Sequence, residues 1–490
     1  MIKAKLHLFM KAALIAWAVV AVYAHVNVGL SDNGDFFRSV RAFSMDGPIG
    51  LLQANSPGCS DYWDHEENFK YWFPYWKLEW RKDHFETSTL FLWLPGIIVN
   101  YFCYSKNVLF LPFVALLPKC FLILTLISLF YWIEANFERG RTLVLGLVGV
   151  PFVLFISDTR YQSYFNSFYQ ETGEFIYLLL FLFSLVYLRC RPRSKWRLIG
   201  SLGSLSLLGT SKLSALYVIP LGIPAILFLF DGGISRKIMI AGGFVAGLAV
   251  LGFLFSYFQR EQTEIMRCHS FQRVFAGELI FSNDVRGQLA GLGLQEAQGC
   301  VGHDISDDIG NDCVKTYGGK TTFRTFLQVL EKEPAILPKM IMLPSKNMQR
   351  LQTNFFKYTI DNPLNAEGLA CEKYEESGQP LLLWSGMKSR FFPTGPLLFM
   401  TLFIYLIFFV FQFGKAKPVG DLSIVGGISA MFCLVDMLVA IIGDGACDLA
   451  KHLFLANALF DVATISFISV VFIGWGLRAK GILERSKIRP

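Results

Sequence analysis

Long uninterrupted apolar runs, separated by short segments that carry most of the charge, set the pattern of this chain. Runs at 8–28, 108–133, 142–157, 175–188, 198–210, 213–230, 238–258, 395–413, 422–442 and 453–476 are apolar all round, not striped. Several reach the roughly 20 residues that cross about 30 Å of hydrocarbon. They predict an all-α polytopic membrane protein with about ten transmembrane helices.

Charge then orients the spans. The strongest basic segments are Arg189, Arg191, Arg193, Lys195 and Arg197, and the tail Arg478, Lys480, Arg485, Lys487 and Arg489. Arg236-Lys237 and Lys415/Lys417 are smaller. Putting all of these and both termini in the cytoplasm satisfies the positive-inside bias. Parity then decides segment 89–104, which is apolar but short and interrupted by Pro95-Gly96. A full crossing there would put Arg189–Arg197 outside, so it is expected as an interfacial or re-entrant helix of the first outer loop. Four segments lie outside: 29–107, 158–174, 259–394 and 443–452. The expected organisation is an N-terminal membrane module 1–258 with outer loops 29–107 and 158–174. A small α-rich or mixed outer domain 259–394 and a C-terminal membrane module 395–490 follow.

Composition narrows the class. The chain is 53% apolar and only 17% charged, against about a quarter charged in soluble domains. That excludes a soluble enzyme and a disordered chain. The net charge of +7 sits in loops and not in a phosphate-binding stripe, so nucleic acid is not an expected partner. Lys3, Lys5 and Lys11 before the apolar 12–24, with Val22-Tyr23-Ala24, resemble a secretory signal. Because the apolar stretch continues through Val26 and Val28, a retained first span is the expectation.

Cys268, Cys300, Cys313 and Cys371 all fall in the long outer loop. Two disulfides in any of three pairings are expected; a zinc site with His269 or His303 lacks paired Cys-x-x-Cys spacing. Cys59 and Cys447 are also outside. No Asn-x-Ser/Thr sequon occurs, which favours a bacterial envelope. Gly318-Gly319-Lys320-Thr321 is no P-loop, since Val314 stands where the first glycine belongs. Asp304-x-Ser306-x-Asp308 is no calcium loop, since Ile309 replaces the turn glycine and Lys315 the bidentate acid.

Four segments carry candidate chemistry. Ser31-Asp32-Asn33-Gly34-Asp35-Phe36-Phe37-Arg38 follows the first span. Asp32 or Asn33 suits a helix cap, which puts Asp35 in the first turn and Arg38 on the same face. There a carboxylate deprotonates a hydroxyl and a guanidinium holds a phosphate; a solvated cap with an ion pair is the plainer alternative. The second outer loop holds Asp158, Arg160, Tyr164, Asn166, Tyr169 and Glu171. Aromatic faces beside acids and amides suit sugar rings, and an interfacial aromatic belt explains the tyrosines alone. In the third segment Asp448 and His452 share a helical face beside Lys451, with Asn457 and Asp461 deeper. Asp436 and Asp461, costly in mid-span, should face protein or water. Lys212, at the outer surface by parity, suits a lipid phosphate or simple snorkelling.

With these segments in place the chain resembles a polytopic GT-C glycosyltransferase. The likeness rests on the acidic motif after span one, the interfacial helix, the second acidic loop at Asp158 and the basic residues near the outer surface. It covers the first 230 or so residues best, and the size and layout are similar to bacterial and phage O-antigen glucosyltransferases. The outer domain between spans seven and eight departs from members that carry theirs at the C-terminus. The resemblance implies transfer of a sugar from a polyprenyl-phosphate donor to a cell-envelope glycan or lipid-linked acceptor, at the periplasmic face of the inner membrane. It implies Asp35 as base with Asp32 in reserve, and Asp158 as the second-loop acid. Arg38, Arg160, Lys212, Lys451 and His452 would bind the donor phosphate. Tyr164, Asn166, Tyr169, Glu171 and Asp448 would bind sugar or acceptor. No cofactor is required and a divalent metal is not expected; a small flippase and a donor-synthesising membrane protein are the implied partners. A transporter or lipid-sugar flippase, and a glycan polymerase or ligase, are the rival readings.

Overall fold

The computed structural model describes residues 2–24, 71–72, 75–78, 87–137, 140–166, 168–231, 236–261, 263–303, 308–348, 358–360, 374–376, 381–415, 418–446 and 449–479. Asp32, Asp35, Arg38 and Asp448 lie outside these residues, as do Cys59, Cys371 and Cys447.

The apolar runs fold as helices. They are α1 (Ile2–Ala24), α2 (Leu90–Cys103), α3 (Leu111–Asn136), α4 (Arg141–Ser157), α5 (Gln170–Cys190), α6 (Lys195–Gly209), α7 (Val218–Leu229) and α8 (Arg236–Glu261). After the outer unit come α15 (Pro396–Phe413), α16 (Val419–Asp444) and α17 (Phe454–Ala479). Six of these, α1, α3, α5, α15, α16 and α17, are long and apolar enough to cross a membrane, and α4 with the turn after it forms a bent seventh. Among the described residues, shorter apolar helices, Leu90–Cys103, Leu213–Leu229 and Ile240–Leu254, stand beside them. Run 142–157 carries a π-turn at Leu145–Gly149 and bends by 48° where it meets Thr159–Phe165. Helix α6 has only 15 residues, and run 213–230 starts as a 3-10 turn, Leu213–Tyr217. Pro224 inside α7 lacks the backbone N–H a helix would use.

Sequence-adjacent helices pack as hairpins, α2 on α3, α5 on α6, α7 on α8, α15 on α16 and α16 on α17, around one buried cluster. Helix α2 has 14 residues, about 21 Å long, too short for about 30 Å of hydrocarbon. The Ser88 hydroxyl just before it donates to Leu207 O (2.6 Å), and Tyr104 at its far end stacks on Phe110 before α3. Gly96 permits its approach to α3, since a Cβ there would lie 2.1 Å from Phe113 O. Asn100 closes the following turn on Val108 O (2.8 Å) and Phe110 N (2.9 Å). Strand β2 (Tyr75–Lys77) pairs antiparallel with β3 (Val108–Phe110), and β1 (Tyr71–Trp72) pairs parallel with β4 (Tyr358–Ile360), which pairs antiparallel with β5 (Tyr374–Glu376).

Between α8 and α15 lies a mainly helical unit: α9 (Thr263–Gln272), α10 (Val285–Gly291), α11 (Asp308–Tyr317), α12 (Phe323–Lys332), α13 (Ile336–Asn347) and α14 (Leu383–Phe391). Phe271, Phe275, Leu289, Val329, Ile336 and Met340 form its own core. Of the expected disulfides, Cys300–Cys313 is present, across 13 residues. The unit docks on the end of α16 through two glycines. A Cβ on Gly277 would meet Gly445 Cα at 2.9 Å, and Gly445 adopts φ +66°. There Ala446 N–H donates to Ala276 O (3.1 Å).

Candidate functional site

Charged groups gather at the two ends of the bundle. At one end Arg189 binds Asp421 (3.0 Å), which also accepts from the Trp132 indole (3.3 Å), and Lys11 binds Glu134 (2.8 Å). This is the end of the basic segment 189–197. The other end holds residues 158–171, Lys212 and the start of α17, and most of the candidate chemistry meets there.

Asp158 ends α4 and caps the next turn, because its extended backbone (φ −68°, ψ 130°) leaves the side chain over the first free N–H groups. One oxygen accepts from Arg160 N–H (3.0 Å), the other from Ser385 N–H of α14 (2.8 Å). Thr159 and Leu381 add two reciprocal bonds, Thr159 N to Leu381 O (3.0 Å) and Leu381 N to Thr159 Oγ1 (2.7 Å). Asp158 therefore stitches the loop to the outer unit, with both oxygens occupied and the side chain buried. Arg160 is half-buried, and its Nε has no hydrogen-bond partner among the described residues.

Four residues absent from the sequence candidates, Lys388, Tyr161, Glu174 and Tyr217, complete the cluster. Lys388, on α14, places its ammonium 2.8 Å from Asp461 Oδ1 and 2.8 Å from Asn457 Oδ1, both on α17. The Tyr161 hydroxyl donates to the other Asp461 oxygen. Glu174, one turn into α5, lies within electrostatic reach of Lys212, Glu171, Asp436 and Lys451. Tyr217 meets Asp436, whose Oδ2 also accepts Ala456 N–H (2.8 Å). The predicted Glu171 and Lys212 form an ion pair at 2.7 Å, with Lys451 also acting on Glu171 and lying 5.9 Å from the Tyr169 ring centre. The Lys388–Asp461 and Asp436 halves converge on buried Cys433. Buried charges persist when paired and hydrogen-bonded, as Lys388–Asp461 and Lys212–Glu171 are. Asp436 and Asp461 face protein, as their cost in hydrocarbon requires.

The tyrosines stand differently from a sugar platform. Tyr164 and Tyr169 are buried, 5.4 Å apart edge to face, with Phe454 4.5 Å from Tyr164. Trp93 of α2 meets Phe168 at 5.2 Å. Asn166 lies in the 3-10 turn Ser163–Asn166, its side chain outside the described set. His452 is half-buried beside Lys451. Among the described residues no group of three His, Cys, Asp or Glu side chains is arranged to hold a metal.

Away from the acid–base cluster, Glu278 of the outer unit is a buried acid. Neither Glu278 carboxyl oxygen has a hydrogen-bond partner among the described residues. Burial raises its pKa to about 9, opposed by the Arg273 guanidinium.

Comparison with curated proteins and with solved structures found no match. A family model described as the YfdI N-terminal transmembrane domain matches residues 2–487, so the chain belongs to that family.

Proposed function

We propose that this protein is a membrane glycosyltransferase of GT-C type. It moves a sugar from a polyprenyl-phosphate donor to a cell-envelope glycan or lipid-linked acceptor, such as O-antigen, at the periplasmic face of a bacterial inner membrane. The observation that carries the proposal is the acid–base cluster at one end of the bundle, where Lys212, Lys451 and Arg160 crowd beside Glu171, Glu174 and Asp158. The basic segment 189–197 lies at the opposite end and, by the positive-inside bias, faces the cytoplasm.

In this reading transfer is a single displacement. Asp35 removes the acceptor proton as that oxygen attacks the anomeric carbon, and the bond to the lipid phosphate breaks with its electron pair on phosphate oxygen. Arg160, which has a donor to spare, stabilises that charge together with Arg38, Lys212, Lys451 and His452. Lys212 reaches a phosphate only by leaving Glu171, so Glu171 sets how readily the ammonium is released. Asp158, with both oxygens engaged, acts as a positioning residue. Tyr164, Tyr169 and Glu171, all buried, support the loop from behind, leaving sugar contacts to Asp448 and Asn166.

A transporter expects ionisable groups strung through the bundle. Here an apolar cavity of about 70 Å³, lined by Leu129, Phe152, Leu182, Val425 and Ile465, extends toward the Asp421 end. The proposal is tested by Asp35→Asn, which abolishes transfer while expression and membrane insertion stay normal. Full transfer by that variant overturns the assignment.

A further inference from the structure

We infer that α14 is an in-plane membrane helix that forms the lipid-side wall of the site, although it belongs in sequence to the outer loop.

The helix has three faces. At about 100° per residue, Leu383, Met387 and Phe391 fall along one edge of the helix and are all exposed, at 46%, 40% and 73%. Trp384, Ser385 and Lys388 occupy the next sector and are buried. Gly386, Ser389 and Arg390 fill the rest and are exposed. A helix between water and protein needs two faces, polar and apolar. A third, apolar and uncovered, is what a helix at the membrane boundary presents to lipid.

Continuity identifies the occupant. Only 392–395 separate α14 from α15, whose Leu397, Met400, Phe403, Ile404, Ile407 and Val410 form the exposed apolar surface of a membrane-crossing helix. The stripe on α14 leads into that surface, so one bilayer covers both. Arg390 carries its guanidinium 5.8 Å from the Phe391 ring, as an arginine does when its stem lies in the interface and its head in headgroups.

The buried sector holds the helix where it is. Lys388 is clamped by Asp461 and Asn457, and the Ser385 N–H of α14 donates to Asp158. The same nine residues thus touch the acid–base cluster on one side and lipid on the other. A substrate carried on a lipid would meet the cluster across this helix.

The test is site-specific photo-crosslinking in the full-length protein, reconstituted in phosphatidylethanolamine–phosphatidylglycerol vesicles with radiolabelled acyl chains. Benzoylphenylalanine is placed in turn at Leu383, Met387 and Phe391, at Ser389 on the polar face, at Ile404 of α15 as a lipid standard, and at exposed Ile309 of the outer unit. The expected result is lipid labelling at 383, 387 and 391 within about twofold of position 404, and about tenfold above positions 389 and 309. Labelling at 387 no greater than at 389 or 309 overturns the inference. The readout reports where α14 lies whether or not sugar is transferred, so its failure and that of the transferase proposal are distinguishable.

Discussion

Replacing Lys388 by methionine tests how the outer unit is fixed to the bundle. Met keeps most of the stem volume and removes the ammonium, leaving Asp461 at 1% exposure with only the Tyr161 hydroxyl beside its charge. Breaking a buried pair by removing one partner costs about 3–5 kcal/mol, because the other charge remains desolvated. Converting Asp461→Asn as well removes that charge, and the Asn side chain still accepts from Tyr161. The double variant should then lose only about 1–2 kcal/mol, the scale of one or two neutral hydrogen bonds. The assay is a double-mutant cycle on the reconstituted protein, with unfolding free energies read from reversible titration with denaturing detergent. Lys388→Met alone should be the least stable of the three variants or equal to Asp461→Asn, with the double variant recovering about 2–3 kcal/mol. A loss under about 1 kcal/mol for Lys388→Met, the level of an exposed ion pair, would refute the clamp. So would a double variant whose loss is the sum of the singles.

Two further outcomes concern the outer unit. Replacing both Cys300 and Cys313 by serine should lower its stability by about 3 kcal/mol, since the bond closes a loop of 13 residues; limited proteolysis should then cut within 263–347 while the bundle stays intact, and an unchanged digest contradicts this. Glu278 makes the unit less stable as pH rises. Its pKa is raised from 4.5 to about 9, so between those values the unfolded chain releases a proton that the folded chain keeps. Stability is highest below pH 4.5 and falls by up to roughly 1.4 kcal/mol per pH unit until about pH 9. Glu278→Gln should flatten that slope; parallel pH profiles for the two proteins refute the assignment.

The spans were legible because a run of apolar residues has few destinations other than lipid. The count was less so. Whether 142–157 continues straight or bends at Asp158 depends on a carboxylate that meets Ser385, 227 residues later. The second loop misleads in the same way. Tyr164, Tyr169 and Glu171 look like a wet, sugar-facing surface when read locally, yet Phe454 and Lys212 cover them from distant parts of the chain. Lys388 could not be singled out, because one lysine in a long loop reads as solvated and its partner Asn457 lies 69 residues on. Only its spacing from Trp384, four positions before, signalled a buried face. Glu171 and Lys212 were separately legible as charges at one membrane surface, and the fold supplied their pairing.

The central claim, glycosyl transfer at the acid–base end of the bundle, is tested most directly by incubating the purified full-length protein with a panel of polyprenyl-phosphate sugars and a cell-envelope glycan acceptor. One donor should be consumed, with polyprenyl phosphate released in step with glycosylated acceptor, and Asp35→Asn should stop both. Vectorial movement of the intact lipid-linked sugar across the vesicle, with no donor cleaved, would contradict it.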